Sequence, residues 1–212
     1  MSYTEEDARW DELWDQMSKA LYPEHKEQAI DEFTTERLQS FYLKNPDILV
    51  PGLRMYSEAR ELQENFPSAS FVFATSAIEL FLKASLLKPV VYGLVHNESL
   101  AEIIVETALS HSGFERYKKL LSGLFSELLE IDIETVKSVG SNNSLLKETS
   151  QVQEKRNKII HQGMMVSNKD AKFAIDVAYG ILFQIINPML LRIGLWMDKK
   201  GTVLERKEGK KV

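Results

Sequence analysis

The 212 residues are 44% hydrophobic and 27% charged with a mean hydropathy of -0.23, which supports a packed core and argues against a disordered chain. A formal net charge of -5 and a pI of about 5.5 exclude a protein drawn onto nucleic acid by bulk electrostatics, so any polyanion must meet a local basic cluster. The absence of cysteine removes disulfides, thiolate zinc sites and cysteine nucleophiles, and fits a cytoplasmic protein.

The first residues, Met1 to Asp7, are acidic and lack the apolar core of a secretory signal. Trp10, Leu13, Trp14, Met17 and Leu21 recur at spacings of three and four, one stripe of an amphipathic helix closed by Pro23. A second helical segment runs from about Glu24 to Lys44. Asn45-Pro46 and Pro51-Gly52 bracket a loop, which places a boundary between an N-terminal helical extension, 1–45, and a main helical unit, 46–200.

Leu53, Tyr56, Ala59 and Leu62 outline the next helix, ending near Phe66-Pro67. Ser68 is a candidate cap for a helix from about Ala69 to Leu87, stopped by Pro89. That helix is apolar almost all round, as a central buried helix is, apart from Glu79 and Lys83 on one face. A carboxylate in such surroundings needs a partner. Further helices are expected after Asn97 and after Ser112-Gly113, then a loop at Gly140 to Ser144 and a helix from about Leu145 to Gln162. Ser167 or Asn168 caps a last helix reaching about Trp196, with a kink at Pro188. Its longest uncharged apolar segment, Val177 to Leu191, is short for a membrane span and is interrupted by Gln184, Asn187 and Pro188, so it reads as buried. Residues 201–212 read as a flexible tail. The pattern predicts an all-α chain.

The stretch Gln153 to Gly163 is where the chain departs from plain scaffold. At about 100° per residue, Val152, Ile159 and Ile160 form an apolar stripe with Arg156 set into it, while Asn157 and His161 share one face well round from that stripe. A permanent cation at an apolar position either pairs with a buried carboxylate, here Glu79, and locks two helices, or sits where a site forms. Lys155 and Lys158 read from spacing as a solvated face. With four scattered histidines and no pair at ligand spacing, no metal site or cofactor is expected.

Arg156-Asn157-Lys158-Ile159-Ile160-His161 resembles the Arg–polar–x3–His signature of HEPN domains, helical bundles frequent in prokaryotic toxins and antiphage defence. The helix around Glu79 is similar to an early helix of that family whose Glu faces the motif. The resemblance covers roughly residues 53–197. It implies metal-independent RNA cleavage, with attack by the 2′-OH on the adjacent phosphate. In that scheme His161 moves protons, Arg156 stabilises phosphate charge, Asn157 orients, Glu79 holds Arg156, and Lys155 and Lys158 help bind substrate. A single motif histidine, where in-line transfer needs a proton acceptor and a donor, points to a homodimer with a composite site. A cognate antitoxin or defence-system partner is also implied. The alternative is a non-catalytic helical interaction or ligand-binding module in which Arg156 is structural.

Overall fold

The computed structural model describes residues 35–94, 132–138 and 142–206, with Ser99, Ile103 and Ser122 as single helical positions. The helices expected over 4–21 and 24–34, those after Asn97 and Ser112-Gly113, His25, His96, His111 and the basic end of the tail lie outside the described residues.

Residues 35–44 form α1, followed by α2 (Val50–Leu62) and α3 (Pro67–Leu82). The third helix runs on through a π-helical segment, Lys83–Leu87, into α4 (Lys88–Leu94). After the described part of the middle come α5 (Leu145–Gln162) and α6 (Asn168–Gly180). A second π segment, Ile181–Ile186, then leads into α7 (Asn187–Arg192). A short antiparallel hairpin closes the order, β1 (Leu195–Met197) with β2 (Val203–Glu205), in the register Leu195 to Glu205 and Met197 to Val203. The described structure is mostly helical.

The central element is α3, as its nearly all-apolar sequence predicts. It packs against α2, α5 and α6, and buries Phe71, Ala74, Ala77, Ile78, Phe81 and Leu82. Two runs, Pro67–Tyr92 and Asn168–Arg192, are long and apolar enough to cross a membrane by length and composition, but 65% and 61% of their most apolar windows are buried inside the fold. That burial is what core helices show.

Pro89 does not stop the helix as its sequence position predicts. A proline cannot donate to the carbonyl four residues back, here that of Ser85. The chain widens instead, with Lys88 N–H donating to the Lys83 carbonyl five residues back, and the hydroxyl of fully buried Tyr42 donates to the freed Ser85 carbonyl at 2.5 Å. Pro188 repeats the device: a π segment precedes it, and Asn187 N–H reaches the Leu182 carbonyl.

Leu38 and Tyr42 of α1 are core residues, so α1 packs with the elements that follow 45–46. Pro51-Gly52 lies inside the first turn of α2 rather than in a loop, because α2 and α3 approach closely there. A Cβ at Gly52 would lie 2.4 Å from Phe81 Cε1. Helix propensity alone makes Gly52→Ala favourable by about 0.5–1 kcal/mol. The clash with a buried ring that has nowhere to swing is the larger effect, at about 1–3 kcal/mol. Gly52→Ala is therefore expected to be destabilising, read as a lower urea midpoint; a raised midpoint would refute the close approach.

The tail is structured at its start. Gly194, at φ +72°, ends the last helical run short of Trp196 and turns the chain into β1. Val203 N–H donates to the Pro46 carbonyl at 2.8 Å, so the hairpin packs on the α1–α2 connection.

Candidate functional site

The helix α5 is buried in its first half and lies at the surface in its second. Ser144 caps it by accepting from Lys147 N–H, and the first half buries Leu145, Leu146, Thr149 and Val152. Glu148 is buried there too and accepts from the Ser138 hydroxyl. Leu145 also fills the notch left by Gly180 on α6, which sets how closely the two helices pack. Beyond Val152 the helix emerges from the core. Ile159 still packs against it, whereas Ile160 is 50% exposed. Gly163 closes the helix at φ +66°, and its N–H and that of Met164 both donate to the Lys158 carbonyl.

Arg156 lies half-buried between Val152 and Ile159, the anomalous position its spacing predicts. Its expected bond to Glu79 is not made. The Glu79 carboxylate accepts instead from Gln153 Nε2 at 2.8 Å, three residues before Arg156 on α5. Arg156 makes no ion pair among the described residues; its Nη1 donates to Asn157 Oδ1 at 3.3 Å. Asn157 and His161 are both exposed on the emergent half of α5. The structure thus collects Arg156, Asn157 and His161 at one helix end and leaves Glu79 as a helix-to-helix anchor through Gln153.

The two lysines separate. Lys158 is exposed, as a solvated face predicts. Lys155 is engaged: its ammonium pairs with Asp170 at 2.5 Å. Asp170 is the third residue of a capping box in which Ser167 accepts from Asp170 N–H and the Asp170 carboxylate accepts from Ser167 N–H. The hydrogen bond from Lys155, then that from Ser167 N–H, holds the Asp170 carboxyl at about 2, below its ordinary 3.8. A folded pKa below the unfolded one gives stability that is present above about pH 4 and lost as pH falls toward 2. Asp170→Asn is expected to cost about 1 kcal/mol at neutral pH, and the gap to the parent should close in acid denaturation curves between pH 4 and 2. A gap that persists at pH 2 would contradict this.

Ser68 is not a helix cap; its hydroxyl accepts from Val166 N–H at 3.3 Å and ties the α5–α6 connection to the start of α3. Two contacts escaped the sequence reading. The capping box was written in Ser167-x-x-Asp170, but nothing in the pattern named Lys155 as its third member. Gln153 carried a weaker signal, sharing its face with Arg156. Among the described residues no group of His, Asp and Glu side chains is placed to hold a metal ion. In comparisons with protein-family models, curated proteins and solved structures, nothing matches the chain.

Proposed function

We propose that this chain is a metal-independent, HEPN-type endoribonuclease acting as a homodimer, a cytoplasmic toxin or antiphage defence effector held in check by a cognate partner. The observation that carries the reading is the composition of the exposed end of α5: a guanidinium that donates to Asn157 and pairs with no carboxylate among the described residues, and a solvent-facing His161 one turn beyond. Local charge supports it. Residues 142–206 contain ten Lys and Arg against six Asp and Glu, a net +4 within a chain of net -5.

The chemistry follows from these groups. One His161 imidazole takes the proton of the ribose 2′-OH, and that oxygen attacks the adjacent phosphorus. The bond from phosphorus to the 5′ oxygen breaks, and His161 of a second copy gives that oxygen a proton. The products are a 2′,3′-cyclic phosphate and a 5′-OH. Arg156 presents its planar fork to the non-bridging oxygens as charge grows on them, and Lys158 meets a neighbouring phosphate. Glu79 and Lys155 act only by fixing α5 to α3 and α6.

A non-catalytic helical module is favoured instead by the apolar side chains around this end, Ile160, Met165 at 82% exposed and Phe66 at 61%. One experiment separates the two readings. Purified protein incubated with total RNA in EDTA is expected to give fragments ending in 2′,3′-cyclic phosphate; RNA that stays intact sinks the nuclease and leaves the module.

A further inference from the structure

The outward face of α6 and the π segment after it carries Lys172, Asp176, Tyr179 and Phe183 at spacings of four, three and four. The opposite face buries Ala171, Ala174, Ile175 and Ala178. Tyr179 and Phe183 remain 45% and 40% exposed, with ring centroids 4.5 Å apart and planes tilted by 36°. Beside them, on α2, the Arg60 guanidinium lies 5.9 Å from the centroid of the Tyr56 ring.

We propose that Tyr179 and Phe183 form a stacking platform for an unpaired base of single-stranded RNA, with Arg60 placed to meet its phosphate. Aromatic faces hold bases of any identity by stacking, and arginine adds both charge and a flat cation. The α2 and α6 helices that carry these side chains are in contact. The Tyr56 phenol is pushed above its ordinary value first by burial, and it also feels Arg60, Tyr179, Asp176 and Lys172. Lys172 and Asp176 satisfy each other at 2.7 Å, whereas Arg60 is exposed and makes no ion pair among the described residues.

The surroundings favour a base over a partner helix. Interface cores are depleted of Lys and Asp, whereas here Asp176 lies one turn before Tyr179 and Lys172 one turn before that, on the same face. The choice of RNA rests on the nuclease reading, but the platform lies apart from the Arg156–His161 end. Tyr179 is nine residues along α6 from Asp170, about 13 Å at the helical rise, and on the face turned away from Asp170. The platform therefore holds RNA that flanks the cleaved step rather than the reacting nucleotide.

The test uses a 2′-O-methyl oligo(A) of about 12 nucleotides, which lacks the attacking hydroxyl and cannot be cut by the proposed chemistry. Fluorescence anisotropy of the full chain is expected to show binding that weakens about tenfold in Tyr179→Ala/Phe183→Ala and is retained in Tyr179→Trp. An oligomer with abasic sites should bind the parent as weakly as the intact one binds the double variant. Both rings are solvent-facing, and circular dichroism melts check that the variants stay folded; Phe183→Gln serves if the double variant does not. The proposal is overturned if the parent fails to bind, if abasic and intact oligomers bind alike, or if the double variant binds normally. It is equally overturned if sedimentation shows a parent oligomer that the double variant dissolves while RNA binding is unchanged. Cleavage of unmodified RNA is scored separately: binding intact with no cleavage removes the nuclease and keeps the platform, and the reverse removes only the platform.

Discussion

His161→Ala is expected to lower RNA cleavage by about 10²–10⁴-fold, the usual worth of a positioned proton-transfer group, while leaving the fold and its assembly unchanged. The side chain is exposed at the end of α5, so little packing is lost. Its contact with the helix dipole is worth only about 0.3–1 kcal/mol. Arg156→Lys sharpens the same prediction, because a lysine keeps the charge but not the two-pronged geometry that meets two phosphate oxygens. It should lose activity nearly as far. Arg156→Met should be as stable as the parent, since Glu79 is satisfied by Gln153 and no carboxylate is orphaned by the change. The measurements are initial cleavage rates and thermal midpoints of the three variants together. Parent-like cleavage by His161→Ala would end the catalytic assignment. A large fall in the midpoint of Arg156→Met would return Arg156 to a structural role.

Tyr42→Phe is expected to cost about 1–3 kcal/mol, much more than one hydroxyl usually contributes to a core. The Ser85 carbonyl it serves has lost its α-helical donor, because Pro89 occupies the position that would supply one. Removing the hydroxyl takes away the buried donor that replaces it. The pH dependence gives a second reading. Burial raises the Tyr42 phenol far above its ordinary 10.0. A group whose folded pKa is raised contributes stability that is complete below the unfolded pKa and is lost as pH climbs past it. The parent should thus lose about 1.4 kcal/mol per pH unit above 10 through this group, and Tyr42→Phe should not. Every other ionisable side chain is common to the two proteins, so the difference between their profiles isolates Tyr42. The two stabilities should converge between about pH 11 and 12, as read from urea melts across that range. Parallel pH profiles would mean that Tyr42 is not the buried acid the structure places there.

What the sequence made legible follows from periodicity, and what it hid follows from exchange of partners. The all-round apolar pattern of 69–82 is sufficient to name the central helix, and the stripe through Val152 and Ile159 is sufficient to expose Arg156 as out of place. The same spacing puts Gln153 on that face, and nothing local decides which of the two reaches Glu79. The answer depends on how far α5 leaves the core. Pro89 misleads for a similar reason. The rule that a proline ends a helix assumes that the freed carbonyl finds no other donor, and here one arrives from Tyr42, 43 residues earlier in the chain. That donor also explains why 1–45 reads as an extension although Leu38 and Tyr42 within it are core residues. The hairpin escapes because three-residue strands are too short to alternate visibly, and Gly194 and Gly201 are its main punctuation.

The two π segments have a consequence for comparing this chain with others. A helix that bonds five residues back where its neighbours bond four has taken in one residue without gaining a turn. In alignment terms, Lys83–Leu87 and Ile181–Ile186 are single-residue insertions concealed inside apparently continuous helices. A distant relative that lacks Pro89 or Pro188 needs no such widening and would be one residue shorter at that place. Matched without a gap, its helices beyond that point would be set about 100° out of phase, pairing its buried positions with exposed ones of this chain. A one-residue gap allowed within 83–87 and within 181–186 brings α4 and α7 back onto their own faces.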